Sequence, residues 1–254
     1  MASADTTVLG IEVRSELMAQ WRDWLMPPEQ PFLLPGDTAR AAGFADGRER
    51  VSLEVADSFL LYDIDDFTVC WLTRAQARRL PAEVRRGQPA RHRWPSPDHA
   101  RDVARVIQFV EEGRRRSRHR DVAEATWQGA SGILPAARDL AGTFPPGSGP
   151  NCFGTVMGAA GVPDAAGIWM QRKPFEHWLA QASRPGGRDE EAGTVLVWRD
   201  ADRLVAHAAV TIGHGWALHK PSQGWMSPAK VLTVREAMYS ARARGQHVER
   251  RTLR

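Results

Sequence analysis

Apolar positions along the chain change period several times, and each change marks an element. Between Val13 and Met26, the residues Leu17, Met18, Trp21, Trp24 and Leu25 recur at helical spacing, and Pro27-Pro28 ends the run. A Pro/Gly-rich stretch follows. The runs SLEV, SFLLYDI and FTVCWL, between Arg50 and Leu72, predict three short strands in an antiparallel meander joined by acidic turns. Thr73 to Arg86 is helical in pattern, with Pro81 splitting or kinking it. Ser96-Pro97-Asp98 supplies an N-cap, a proline at the first helical position and an acid in the first turn. The helix it opens runs to about Glu112, with Val103, Val106, Ile107 and Val110 on one face and Gly113 as its stop.

The second half has a different rhythm. Asp121 to Leu140 is mostly helical and interrupted near Gly129 to Gly132; Gly142 to Pro150 is a breaker-rich loop. Cys152 opens a short helix that Gly161 and Pro163 close, and Pro174 to Ala182 forms another. Strands then crowd together: Thr194–Trp198, Leu204–Ile212, Trp216–His219 and Lys230–Thr233, with turns short enough for hairpins. Val234 to Arg244 is predicted as a closing helix and the Arg-rich end as a frayed tail. The pattern predicts an α+β protein in two parts: a mixed α/β region over 1–120 and a helix-plus-antiparallel-sheet core over 121–254.

Composition narrows the classes. With 43% hydrophobic and 25% charged residues the chain matches ordinary globular proteins, which excludes a disordered or collagen-like chain. No apolar run is long enough to span a bilayer, and the first residues carry neither a basic n-region nor an apolar h-region, so the expected setting is the cytoplasm without a membrane. The net charge of +4 is arginine-borne; Lys173, Lys220 and Lys230 are the only lysines. The dense run Arg114, Arg115, Arg116, Arg118 and Arg120 has no aromatic residues interleaved in sequence, so it is expected to be a solvated face and not a dedicated nucleic-acid surface. Two cysteines outside any CxxC pair give neither a disulfide framework nor a structural zinc site. Cys70, inside FTVCWL, is expected to be packing.

Cys152 has another context, between a loop and a helix start. Unpaired N–H groups and the positive dipole end of a helix there are expected to lower a thiol's pKa, and the cysteine's own N–H can face a developing oxyanion. A base must come from elsewhere. Alternation along Leu204–Ile212 puts Val205, His207, Ala209 and Thr211 on one face, and the hairpin at Gly213-His214-Gly215 returns His219 towards His207. Cys152, His207 and His219 thus form a nucleophile–base–orienter set. His214 sits at the turn tip. A metal site from His207, His214 and His219 lacks a carboxylate at ligand spacing, so no metal or other cofactor is expected. Lys220, which points to the face opposite His219, stays outside the set. Trp216 and Trp225 flank HKPSQGW and can wall a substrate pocket.

The segments NCFGTV, GTVLVW and HAAVTIGHGWALHKP, in this order, resemble the NlpC/P60 superfamily of papain-like cysteine amidases and peptidases. The resemblance covers residues 121–254 and implies a papain-like core with Cys152 as nucleophile, His207 as base and His219 as third residue. This sequence departs from the pattern at Asn151, where the family has aspartate, at Phe153, where it has serine, and at Gly193-Thr194, where Gly-Asp is usual. Because the positions beside the nucleophile contact substrate in that family, Asn151 and Phe153 join Trp216 and Trp225 as candidate substrate-binding residues. The implied activity is amide hydrolysis of a small amide or peptide through a thioester on Cys152. Two alternatives are an acyltransferase using the same thioester and an inactive binding or scaffold protein that keeps the fold.

Overall fold

The structure, a computed structural model, describes residues 6–254. The expectation that no signal peptide opens the chain rests partly on residues 1–5, which lie outside the described residues. Two compact units divide the chain: Val13–Glu112 forms one, and Thr7–Glu12 with Gly113–Arg254 forms the other. The division falls ahead of the arginine run, not after it. The reason is backbone pairing: the Ser117 N–H donates to Leu9 O (2.8 Å) and the Arg118 N–H to Val231 O (2.8 Å).

The chain opens on a short hairpin of β1 (Thr6–Val8) and β2 (Ile11–Val13). The first unit holds α1 (Ser15–Leu25), β3 (Glu29–Leu34), α2 (Gly36–Ala41), α3 (Leu53–Phe59), β4 (Thr68–Thr73), α4 (Arg74–Arg79), α5 (Ala82–Arg86) and α6 (His99–Glu111). The expected three-stranded meander is not there. Only FTVCWL forms a strand, β4, and it pairs with β3 from the Pro/Gly-rich stretch, Phe32 opposite Cys70. SLEV instead enters α3, because the Ser52 side chain accepts from the Val55 N–H (3.3 Å) and Leu60 closes the helix in the left-handed region (φ 55). Val55 and Phe59, four apart, are then buried on one side. Residues 73–86 break at Pro81 as expected. The next helix is capped by Asp98, whose carboxylate accepts from the Arg101 N–H (3.1 Å); Ser96 is turned to the buried Asp102.

The second unit is built on a six-stranded antiparallel sheet in the order β5-β10-β6-β7-β8-β9. Before it come α7 (Glu124–Ala130), α8 (Ala137–Leu140), α9 (Cys152–Ala159) and α10 (Arg172–Ala182). The strands are β5 (Ser183–Pro185), β6 (Ala192–Arg199), β7 (Val205–Gly213), β8 (Trp216–His219), β9 (Lys230–Thr233) and, after α11 (Val234–Ser240), β10 (His247–Leu253). The Arg-rich end is therefore not a frayed tail but an inner strand between β5 and β6. Its arginines are held: Arg250 forks onto Asp189 (2.8 and 2.9 Å), and Arg251 reaches Ser183 Oγ (2.8 Å).

The two faces of this sheet differ. Val195, Val197, Ala208, Val210, Ile212, Leu218 and Val231 point to the core shared with α7 to α10. Leu196, Trp198, Ala209, Ala217 and Leu232 point the other way, under Val234 and Ala237 of α11. Val205 joins the first face, not the face of His207. The register shows why: Arg199 pairs with Val205 and Trp198 with His207, so Ala206 is an extra residue that flips the alternation. No described helix is long and apolar enough to cross a membrane.

Candidate functional site

Cys152 is the first residue of α9, as the sequence predicts. Asn151 is its N-cap: Oδ1 accepts from the Gly154 N–H (3.0 Å), and Nδ2 donates to Met170 O (2.8 Å). Every residue of α9 is buried. Gly154 is required by closeness, since a Cβ there would lie 2.2 Å from Ala165 O. The helix start is thus pressed between the 165–170 segment and the sheet.

Burial decides the chemistry of the thiol. Cys152 is 8% exposed, and desolvation pushes its pKa up to about 11. Three backbone N–H groups, those of Ala208, Phe153 and Cys152 itself, act on the sulfur in the opposite direction, as does the charge of Lys220. The sequence-based expectation of a lowered thiol is therefore corrected: the helix start does favour the thiolate, but removal from water outweighs it. Ala208 directly follows His207, and the β7–β8 ladder ends at Val210–Leu218, short of both residues.

His207 and His219 are brought together. Their Nε2 atoms lie 2.9 Å apart and their rings meet edge-on at 4.9 Å between centroids. His207 also stands edge-on to Trp198, its partner across β6, at 5.1 Å. His219 lies opposite Lys230 in the β8–β9 register. Burial lowers the pKa of His207 to about 4 and that of His219 well below its ordinary value, the latter aided by His207 and by the Lys230 charge. Lys230 is itself brought down to about 8, by burial first and then by Arg114 and Arg115. Both imidazoles are therefore neutral at pH 7. One proton sits between the two Nε2 atoms, and His219 Nδ1 is buried with no hydrogen-bond partner among the described residues.

Cys152 belongs to the core on one face of the sheet, while His207 is level with Trp198 of the other face. The sulfur meets β7 beside His207, at Ala208. No hydrogen bond joins it to either ring.

The remaining candidates are engaged with the protein. Phe153 stacks on Phe175 with centroids 4.6 Å apart. Trp225 is fully buried, and its backbone N–H donates to Ser148 Oγ (3.1 Å). With Gly149 N–H on Gln223 O (2.9 Å), this ties the loop before Cys152 to the loop after His219. Trp216 is half-buried under the Arg118 guanidinium, 4.6 Å above its ring. His214 is exposed at the hairpin tip with φ 51. Among the described residues, no group of three or more His, Cys, Asp or Glu is placed to hold a metal ion.

Lys220 is the residue the sequence reading set aside. It is 2% exposed, and its ammonium donates to Ser227 O. The signal was present: alternation turned Lys220 away from His219, and that is the direction from which its charge reaches Cys152. Comparison of the chain with protein-family models, with curated proteins and with solved structures finds no match.

Proposed function

We propose that the second unit is a cysteine-dependent acyl-transfer enzyme with a papain-like core of the NlpC/P60 kind, cleaving a small amide or peptide. The observation that carries the reading is the pairing of His207 with His219 directly beside the backbone N–H that acts on the Cys152 sulfur. His219 occupies Nε2 of His207, which leaves His207 Nδ1 to receive the thiol proton. That role requires the tautomer in which His207 Nε2–H donates to His219 Nε2. The thiol and the base rest as a neutral pair, so proton transfer accompanies attack and does not precede it. The Sγ–carbonyl carbon bond forms as the thiol proton passes to His207; the C–N bond then breaks and the departing amine takes that proton. Water, activated by His207, releases the acid from the thioester. A second amine in place of water makes the same site an acyltransferase.

The absence of a sulfur–imidazole hydrogen bond sets the demand on this reading, because Cys152 and His207 face opposite sides of the sheet, and the backbone of β7 at 207–208 must turn for Nδ1 to reach Sγ. The same observation supports a second reading, an inactive protein with this fold. Intact mass spectrometry after incubation with a panel of small amides, peptides and activated esters separates the two. An adduct on Cys152 that forms in the wild type and is lost in His207→Gln supports the enzyme. Adducts that form equally in both, or none with any ester or amide, support the inactive protein.

A further inference from the structure

A cavity of about 780 Å³ opens on the α11 face of the second unit, and its lining residues include none of Cys152, His207 and His219. That volume suits a small organic molecule. Its floor is the buried Trp198, beside Val248 of β10. Four arginines line the cavity: Arg115 and Arg118 from the arginine run, Arg235 from α11 and Arg242 just past the end of that helix. The one carboxylate in the lining is Glu236.

The sequence of the arginine run shows no interleaved aromatic residues, but the fold supplies them. Arg115 lies over the Tyr239 ring (5.6 Å) and Arg118 over Trp216 (4.6 Å). Glu236 braces the two guanidiniums, at 3.5 Å from Arg115 and 3.7 Å from Arg118, and is itself fixed by Thr233 in a capping box. On α11, Val234 and Ala237 turn into the sheet, while Arg235, Met238 and Tyr239 recur at helical spacing along the cavity wall, and Arg242 follows just past the helix end. Tyr239 is 69% exposed, an apolar ring held at the cavity mouth. Fixed forks of positive charge beside an exposed flat ring match an organic phosphate that carries an aromatic group.

We propose that this cavity is a binding site for a small phosphorylated aromatic compound, of the size and chemistry of a nucleoside monophosphate. The phosphate lies among Arg115, Arg118, Arg235 and Arg242, and the ring lies on Tyr239. The ligand need not be the substrate of the cysteine site, and the proposal stands whatever that site does.

Isothermal titration of the full chain with adenosine monophosphate, adenosine and inorganic phosphate tests it. Saturable one-to-one binding of the monophosphate is expected, at least about tenfold tighter than either fragment. Arg235→Gln with Arg242→Gln, both exposed, one on α11 and one just past its end, is expected to weaken binding by about tenfold or more. Tyr239→Ala is expected to weaken the monophosphate but not phosphate alone. Near-equal affinity for phosphate and the monophosphate overturns the proposal, as does affinity unchanged in the double arginine variant. A short single-stranded oligonucleotide that binds about a hundredfold tighter than the monophosphate also overturns it, since the face would then serve a nucleic acid.

Discussion

Cys70 and Cys152 make the most instructive comparison in the molecule. Both are buried, and burial pushes both thiols up to about 11. On accessibility and acidity alone they are the same residue twice. What surrounds them differs. Cys70 lies in β4 among Phe32, Leu34 and Leu72, with the Asp46 charge adding to the upward push. Cys152 stands at a helix start, where three N–H groups and Lys220 pull the other way, one of those N–H groups belonging to Ala208, the residue after His207. A thiol's environment, more than its resting pKa, marks it as a candidate nucleophile.

The sharpest way to break the comparison is substitution. Cys152→Ala is expected to abolish acyl-adduct formation and turnover, and Cys70→Ala to leave both unchanged. Each removes one buried sulfur, so both are expected to cost about 1 kcal/mol of stability, read as similar drops in Tm. Turnover surviving in Cys152→Ala would make the two cysteines equivalent and remove the proposed mechanism.

The imidazole pair divides next. His207→Gln is expected to lower turnover by about 10²–10⁴-fold, the range typical of a lost general base. His219→Gln keeps an acceptor for the His207 Nε2–H and is expected to lose about tenfold less. Equal losses from the two changes, with both variants folded by circular dichroism, would show that His219 does more than orient.

How far these features can be read from sequence depends on how local their causes are. The bounds of β8 and β9 and the opening of α9 at Cys152 follow from alternation, a hairpin turn and a breaker-rich loop, all local signals. HVERRTL hides its place as an inner strand, because Arg250 is neutralised by Asp189, which is distant in sequence, and the strand's own Glu249 holds Arg251. SLEV alternates like a strand, yet Ser52 caps it by accepting the Val55 N–H, and the segment becomes helix. The single extra residue Ala206 changes which side Val205 faces. The acidity of Cys152 is the least legible of all: the helix start is visible in sequence, but the desolvation that outweighs it comes from the whole packed core.

Acid titration compares the two units themselves. His207 and His219 of the second unit and His92 of the first are all held below the ordinary histidine value, each chiefly by burial. The unfolded chain therefore binds protons near pH 6.5 that the folded chain refuses, and stability falls as pH drops from about 6.5 towards 4. His207 alone accounts for about 3 kcal/mol over that range. Chemical denaturation at pH 7, 5.5 and 4.5 is expected to show this loss. His207→Gln is expected to flatten it in the second unit, and His92→Phe in the first, where that ring stacks on Phe32 with centroids 3.8 Å apart. An unchanged slope in His207→Gln would mean that His207 is protonated in the native protein.

Lys220 gives the smallest and most selective effect. Its charge is the weakest of the influences that favour the Cys152 thiolate, and it is not among the causes that set the Cys70 thiol. Alkylation by iodoacetamide proceeds through the thiolate, so its rate in the alkaline limb reports the thiolate fraction. Lys220→Met removes the charge while keeping most of the buried volume. It is expected to slow capture of Cys152 by about threefold at pH 9, equivalent to a rise of half a pKa unit, and to leave Cys70 unchanged. Lys220→Met also removes the hydrogen bond to Ser227 O, which anchors the loop after His219. Lys220→Arg is therefore the control: it keeps the charge and a donor, and a rate near wild type assigns the effect to charge. Peptide-level mass spectrometry follows both cysteines in one reaction, so Cys70 serves as the internal standard. Equal slowing at both cysteines would point to a general change in stability, and no slowing at either would show that the ammonium does not act on the sulfur.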